Sequence, residues 1–155
     1  MRDTLAKALK DALKSKDSVA LSTMRLISAA LKDRDIAARS SGNPDGISDE
    51  DILGMLQTMI KQRGESAKMY MDGGRPELAE AEQNEIAIIQ QFLPQQLDDE
   101  AMQSAIAEII TDTDAQSVKD MGKVMAELKT RFAGQMDFGK ASQMVKTALM
   151  DKAAD

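Results

Sequence analysis

Phe92-Leu93-Pro94-Gln95-Gln96-Leu97 is the stretch that decides how this chain is organised. Pro94 has no amide proton to give to a helix, its ring clashes with the preceding turn, and it pushes Leu93 towards an extended conformation. A charged, helical run must therefore stop here, and a second run starts beyond it. The expected division is a helical N-terminal domain over residues 1–93 and a C-terminal domain over residues 94–155.

Working back from the seam, Ala79, Glu82, Ile86, Ile89 and Leu93 recur every three or four residues, a helical stripe interrupted by one acid. Pro76 suits the first turn of that helix. Gly73-Gly74 closes the helix before it, whose face is Ile52, Leu56, Met59, Arg63, Ala67 and Tyr70. These two helices form an antiparallel hairpin. Ser48 with Asp51 three residues on marks a helix start, Asp being a weaker capping partner than Glu, and Asn43-Pro44-Asp45-Gly46 reads as a turn. Two further helices precede it, one with Leu5, Ala8, Leu9, Ala12 and Leu13 inward, the other with Ala20, Met24, Ile27 and Leu31. A break at Ser15 to Ser18 separates them.

Beyond the seam three shorter stripes follow: Met102, Ala105, Ile106 and Ile109; Met121, Val124, Met125, Leu128 and Phe132; and Ala141, Met144, Val145, Ala148 and Leu149. Ser117 and Asp137 are the natural N-caps of the last two. The expected fold class is all-α, an N-terminal long-helix, helical-hairpin domain followed by a small three-helix C-terminal domain.

Composition agrees with helices and narrows the chemistry. Of 155 residues 43% are hydrophobic, yet there are only three Phe, one Tyr and no Trp, so the core is built from aliphatic residues and some of the twelve Met. No Cys and no His occur, which excludes a Ser-His-Asp triad, a Cys nucleophile, thiolate zinc and a His-ligated metal. No catalytic residue, cofactor or metal is assigned. No window is apolar enough to span a bilayer, and residues 1–16 carry Asp3 and Asp11 without an apolar signal core. The expectation from this composition is a cytoplasmic protein without membrane association.

Three local patterns fail as sites. Gly134 to Lys140 has P-loop spacing, but Ala141 stands where Ser or Thr would hold magnesium and no strand precedes it. Asp112, Asp114 and Gln116 begin like a calcium loop, yet Ser117 replaces the glycine of its sharp turn and Lys123 its bidentate Glu. Glu77, Glu80, Glu82 and Glu85 read as a solvated helix face rather than an acid–base pair. Met121, Met125 and Met144 fall on stripes the core already requires, so the Met content is core rather than an adaptable peptide groove.

Charge is unevenly placed. From Leu93 to Asp114 there are six acids and no bases, whereas from Ala115 to Lys152 there are seven bases against four acids, a local net of +3 in a chain of net charge −6. Contact with a polyanion must therefore be local and shape-directed. Lys123 and Lys140 stand near helix N-termini, where lysine opposes the helix dipole but can join free amides on a phosphate. Gly122 in an early helical turn costs about 1 kcal/mol relative to Ala, and either close approach of a ligand or helix packing accounts for it. The same lysines also read as an ordinary solvated face.

Ile60-Lys61-Gln62-Arg63 with Glu65-Ser66, Gly74-Arg75, Leu78-Ala79-Glu80, the Phe92-Leu93-Pro94 seam with Gln96-Leu97, and Lys119-Asp120-Met121-Gly122-Lys123-Val124-Met125 followed by Gly139-Lys140 resemble the GatB/YqeY family over nearly the full length, in its stand-alone YqeY-like branch. Phe138 and Ala141 depart from it where a more polar, Asp-Gly-Lys-like segment is expected. The resemblance implies a C-terminal domain shared with the tail of the B subunit of glutamine-dependent tRNA amidotransferase, which contacts tRNA, while the carbon-nitrogen ligase chemistry with glutamine as amido-N-donor belongs to a catalytic cradle this chain does not show. It makes Lys119, Gly122, Lys123, Lys129, Gly139 and Lys140 the nucleic-acid contact candidates of a non-catalytic tRNA- or RNA-associating accessory protein. An amidotransferase or another protein is the expected partner besides tRNA. The alternative is a helical protein-interaction module without nucleic-acid binding, in which Arg63, a charge at an apolar repeat position, pairs with Glu82 across the hairpin or marks a partner-facing groove.

Overall fold

A computed structural model describes residues 1–154; Asp155, the last residue of the expected C-terminal domain, lies outside them. Among the described residues there are seven α-helices, one 3-10 turn and no strand: α1 (Arg2–Ser15), α2 (Ser18–Ser40), α3 (Asp49–Asp72), α4 (Pro76–Gln90), α5 (Asp99–Asp112), the 3-10 turn Val118–Asp120, α6 (Met121–Arg131) and α7 (Phe138–Ala154). The chain falls into two compact units that part between Leu93 and Pro94.

In the first unit α3 and α4 pair as a hairpin, with α1 and α2 packed beside them. Leu5, Met24, Ile27, Ile52, Met55, Leu56, Met59 and Ile89 are its buried centre. Burying a side chain of this size stabilises by about 1.5–3 kcal/mol, so this cluster holds the four helices together. Leu13 departs from the expected stripe: it is half exposed, and Ala12 beside it is the buried residue. The helix ends follow local chemistry. The Asp17 side chain accepts the Ala20 amide at 2.9 Å, and Ser48 and Asp51 cap each other reciprocally, so Asp at the third position completes the box in place of Glu. After α3, Gly73 is not left-handed but Gly74 is, at φ 69°, with the Arg75 amide reaching back to the Tyr70 carbonyl at 2.8 Å and the Gly74 amide to Met71 at 3.1 Å. This is a Schellman closure, which needs the missing Cβ at Gly74.

One polar knot ties three segments. The Arg2 guanidinium donates to both Asp35 carboxylate oxygens at 2.6 and 2.8 Å and to the Ile47 carbonyl at 2.8 Å, while Asp35 accepts the Ile47 amide at 2.9 Å. Gly46, at φ 83°, lies so close under Asp35 that a Cβ would overlap the carboxylate. Arg2 holds the Asp35 carboxyl down at about 2 through this hydrogen bond, the Ile47 amide contributing next.

α4 stops at Gln90, short of the stripe's expected end at Leu93. The restriction that Pro94 places on its predecessor is felt over a full turn, and the Phe92 and Leu93 amides close 3-10 type bonds to Ile89 and Gln90 instead. Phe92 and Leu93 still pack against the first core.

The second unit starts with Gln96, whose side-chain amide donates to the Gly134 carbonyl at 2.6 Å, and Leu97, whose backbone amide reaches Gln135 at 2.8 Å. α5, α6 and α7 all contact one another around Ile106, Ile109, Val124, Leu128, Met136, Ala141, Val145 and Leu149. α6 ends at Arg131, so Phe132 packs on this core from the turn beyond the helix.

Candidate nucleic-acid interface

The candidate residues all lie in the second unit, and α5 sorts them. It is 14 residues long, about 21 Å at 1.5 Å per residue. Lys123 donates from Nζ to the Thr113 carbonyl at 2.7 Å, just past the C-terminal end of α5. Lys140 pairs through Nζ with Asp99, the first residue of α5. The two lysines expected to act together are thus tethered about a helix length apart.

At the C-terminal end of α5 the chain turns through Asp114, left-handed at φ 49°, and closes with the Ala115 amide on the Ile110 carbonyl at 3.0 Å. Asp tolerates this conformation better than most residues but worse than glycine. Ser117 caps the 3-10 turn rather than α6 itself, with Asp120 returning the bond in a capping box. The Gln116 and Ser117 amides, at 2.9 and 3.1 Å, hold the Asp120 carboxyl below the usual carboxylate range, and the charges of Lys123 and Lys119 add to this. Lys119 is exposed, and its ammonium has no hydrogen bond or ion pair among the described residues.

Sequence reasoning left out two bases that gather at this end. Lys152 of α7 donates to the Ala115 carbonyl at 2.9 Å, so two ammonium groups cover the carbonyls that follow α5. Arg131 donates to Asp112 at 2.7 Å and to Glu127 at 2.6 Å; both pairs raise its pKa, Asp112 more strongly. The negative end of the α5 dipole attracts such bases. A base in the last turn of α7 was the available signal, but its partner was not legible without the fold.

The two glycines differ. A Cβ at Gly139 would press on the Asp137 carboxylate at 3.1 Å, the same carboxylate that accepts the Gly139 amide at 2.8 Å and the Lys140 amide at 3.3 Å. Asp137 therefore fills the N-terminus of α7 where a phosphate was expected to sit, and Gly139 is explained by that cap. A Cβ at Gly122 would meet nothing within 4 Å. Helix packing does not account for it. Lys129 is exposed near the far end of α6, without a polar partner among the described residues and six residues from Lys123, which turns it to another side of the helix. What the fold brings together is Lys119, Gly122 and Lys123; it does not bring Lys129, Gly139 and Lys140 to them.

In the first unit Arg63 is paired, but not with Glu82. Its Nε donates to Glu85 at 2.8 Å and its Nη1 to the Met59 carbonyl at 3.2 Å, because a residue one turn nearer the seam stands opposite it in the hairpin. Glu77 is held by Arg75 at 3.0 Å, so two of the four acids on α4 are already engaged. Among the described residues no group of three or more Asp or Glu side chains is placed to hold a metal ion, and no helix is long and apolar enough to cross a membrane.

The profile of the family described as "Yqey-like protein" matches residues 2–149. The chain is also similar to "Altered inheritance of mitochondria protein 41, mitochondrial" from Candida glabrata, 31% identical over 90 residues covering 58% of this chain and 48% of the relative. The protein of the same name from Meyerozyma guilliermondii is 33% identical over 93 residues, 59% and 45% of the two chains. That from Vanderwaltozyma polyspora is 29% identical over 101 residues, 61% and 52%. The matches span about half the length of these curated relatives. Their names place them in mitochondria, which overturns the cytoplasmic expectation: a chain free of cysteine and of long apolar runs suits an organelle as well as the cytosol, so composition could not separate the two.

Proposed function

This chain belongs to the YqeY-like protein family, and from that premise we propose that it is a non-catalytic RNA-associating accessory protein that reads tRNA backbone through the start of α6. The observation that carries this reading is Gly122. It is an exposed glycine in the first turn of a helix, with no intramolecular neighbour to require it, between an unpaired Lys119 and Lys123. A residue that weakens its own helix and leaves the backbone bare beside two ammonium groups suits the close approach of a phosphate. Lys119 supplies the free charge. Lys123, held by the Thr113 carbonyl, supplies a positioned one.

Family resemblance ties such an accessory to glutamine-dependent tRNA amidotransferase. On this reading the chain contributes RNA contact to carbon-nitrogen ligation carried out by a partner, and the isolated protein turns over neither glutamine nor ATP. The mitochondrial names of its relatives suit service to an organellar translation system.

Fluorescence-anisotropy titration of labelled tRNA with duplex DNA as competitor tests the proposal. Saturable binding that prefers tRNA and is lost in Lys119→Glu supports it. Absence of binding, or binding that Lys119→Glu retains, turns the assignment to the protein-interaction alternative. One feature of the first unit favours that alternative: Met69 and Met71, 66% and 60% exposed, stand at the end of α3, and Met71 borders a groove floored by Gly64, Ala67 and Ala79.

A further inference from the structure

α2 carries two apolar stripes, and only one of them faces the core. Thr23, Met24 and Ile27 are buried. On the opposite side Val19, Ser22, Leu26, Ala29, Asp33 and Ile36 follow one another at intervals of three and four, the spacing of a coiled-coil seam. All six are exposed, and the three large ones, Val19, Leu26 and Ile36, stand 42%, 47% and 49% open. Scattered apolar residues on a surface mean little, but here four of six positions in one register along most of a 23-residue helix are apolar, with Ser22 and Asp33 as the two polar exceptions.

The edge of this seam says what covers it. At 100° per residue, Arg25, Lys32 and Arg39 form a row along one flank, all exposed. Arg39 uses Nε on the Pro44 carbonyl, while Arg25 and Lys32 have no hydrogen bond or ion pair among the described residues. In a chain of net charge −6, unpaired bases beside an apolar stripe call for carboxylates from outside. A second copy does not supply them. Laid antiparallel, this flank would meet itself, base against base, and laid parallel it would meet the other flank, where Ala30 and Ala37 offer no carboxylate. A lipid surface fits poorly, because Asp33 lies in the middle of the stripe and would have to enter the acyl boundary, whereas a partner helix can set a polar side chain against it.

We propose that the outer face of α2 docks an amphipathic helix of a partner protein, one whose apolar stripe is edged by Glu or Asp against Arg25 and Lys32. This inference is independent of the RNA reading, since it uses a different unit and a different chemistry.

The probe is a synthetic amphipathic peptide with Leu at the seam positions, Asn at the one that faces Asp33 and Glu at both flanks, titrated against the full chain; its twin with Lys at the flanks is the control. We expect saturable binding of the Glu-edged peptide, about ten-fold or more tighter than of the Lys-edged one. Leu26→Ser/Ile36→Ser should abolish binding, and Arg25→Glu/Lys32→Glu should reverse the preference, while each variant keeps a cooperative melting transition, because none of the four side chains is buried. No binding of the Glu-edged peptide, equal binding of both, or indifference to the Leu26/Ile36 change overturns the proposal. The alternatives have their own readouts, and either would also overturn it. Phosphatidylglycerol vesicle binding lost in Leu26→Ser/Ile36→Ser would assign the face to lipid, and a dimer in sedimentation equilibrium dissolved by the same change would assign it to a second copy.

Discussion

Lys123 reaches across from the first turn of α6 to the Thr113 carbonyl at 2.7 Å, so a lysine that opposes its own helix dipole satisfies the end of another helix. The two effects have opposite sign, and the second explains why the first is tolerated. Lys123→Met should therefore destabilise the protein slightly, by about 0.5 kcal/mol at this exposed site, and Lys123→Arg should not. Thermal melts of the two variants decide this; equal stability of Lys123→Met and wild type would leave the ammonium with no structural role.

Gly122 offers a sharper test because stability and binding should move apart. Gly122→Ala has room for its methyl group and removes a glycine from the first turn of α6, so it should stabilise by up to about 1 kcal/mol. The same methyl group stands where we place a phosphate, and tRNA affinity should fall. A variant that gains stability and keeps full affinity would remove the glycine from the site.

The knot between Arg2 and Asp35 makes stability depend on pH in acid. Asp35 is held at about 2 against an ordinary value of 3.8, so the native state favours the carboxylate. Its contribution is complete above 3.8 and is lost as pH falls from there through about 2. Denaturant midpoints measured between pH 5 and pH 2 should decline for wild type, and less steeply for Asp35→Asn, which should also be less stable at neutral pH. Parallel declines would mean other carboxylates carry the acid sensitivity.

Arg63 and Glu85 are both largely shielded, at 13% and 26% side-chain exposure, and removing one leaves the other under-solvated. Arg63→Met should cost about 1 to 2 kcal/mol, less than breaking a fully buried pair. Arg63→Met/Glu85→Met should recover part of that loss. Unchanged or raised stability in the single variant would mean that the pair contributes nothing and that Arg63 is there for another reason.

These residues also show what could be read from sequence. The helices were legible because one stripe per helix, Pro76, Pro94, Gly74 and the Ser48 cap act within a turn or two of chain. Arg2 with Asp35, Arg63 with Glu85, and Lys123 with Thr113 were not, since each pair is made by packing, and a charge inside a helix reads as solvated until its neighbour is known. The Asp137 cap was read correctly, but not its consequence, that it occupies the anion position assigned to Gly139 and Lys140. On α2 the buried stripe masked the exposed one, because Ala20, Met24, Ile27 and Leu31 already satisfied the expectation of a single core face. Of the six contact candidates, the three within residues 119–123, Lys119, Gly122 and Lys123, are those that the fold leaves together.

The salt dependence of tRNA binding tests the central claim most directly. If Lys119 and Lys123 each neutralise a phosphate, the plot of log affinity against log salt should have a slope of about −1 to −2, and the charge-neutralising Lys119→Gln, which weakens binding without abolishing it, should flatten the slope by about one unit. Lys140→Gln, at the other end of α5, should leave slope and affinity unchanged. A slope near zero, or one that responds to Lys140 and not to Lys119, would contradict the account.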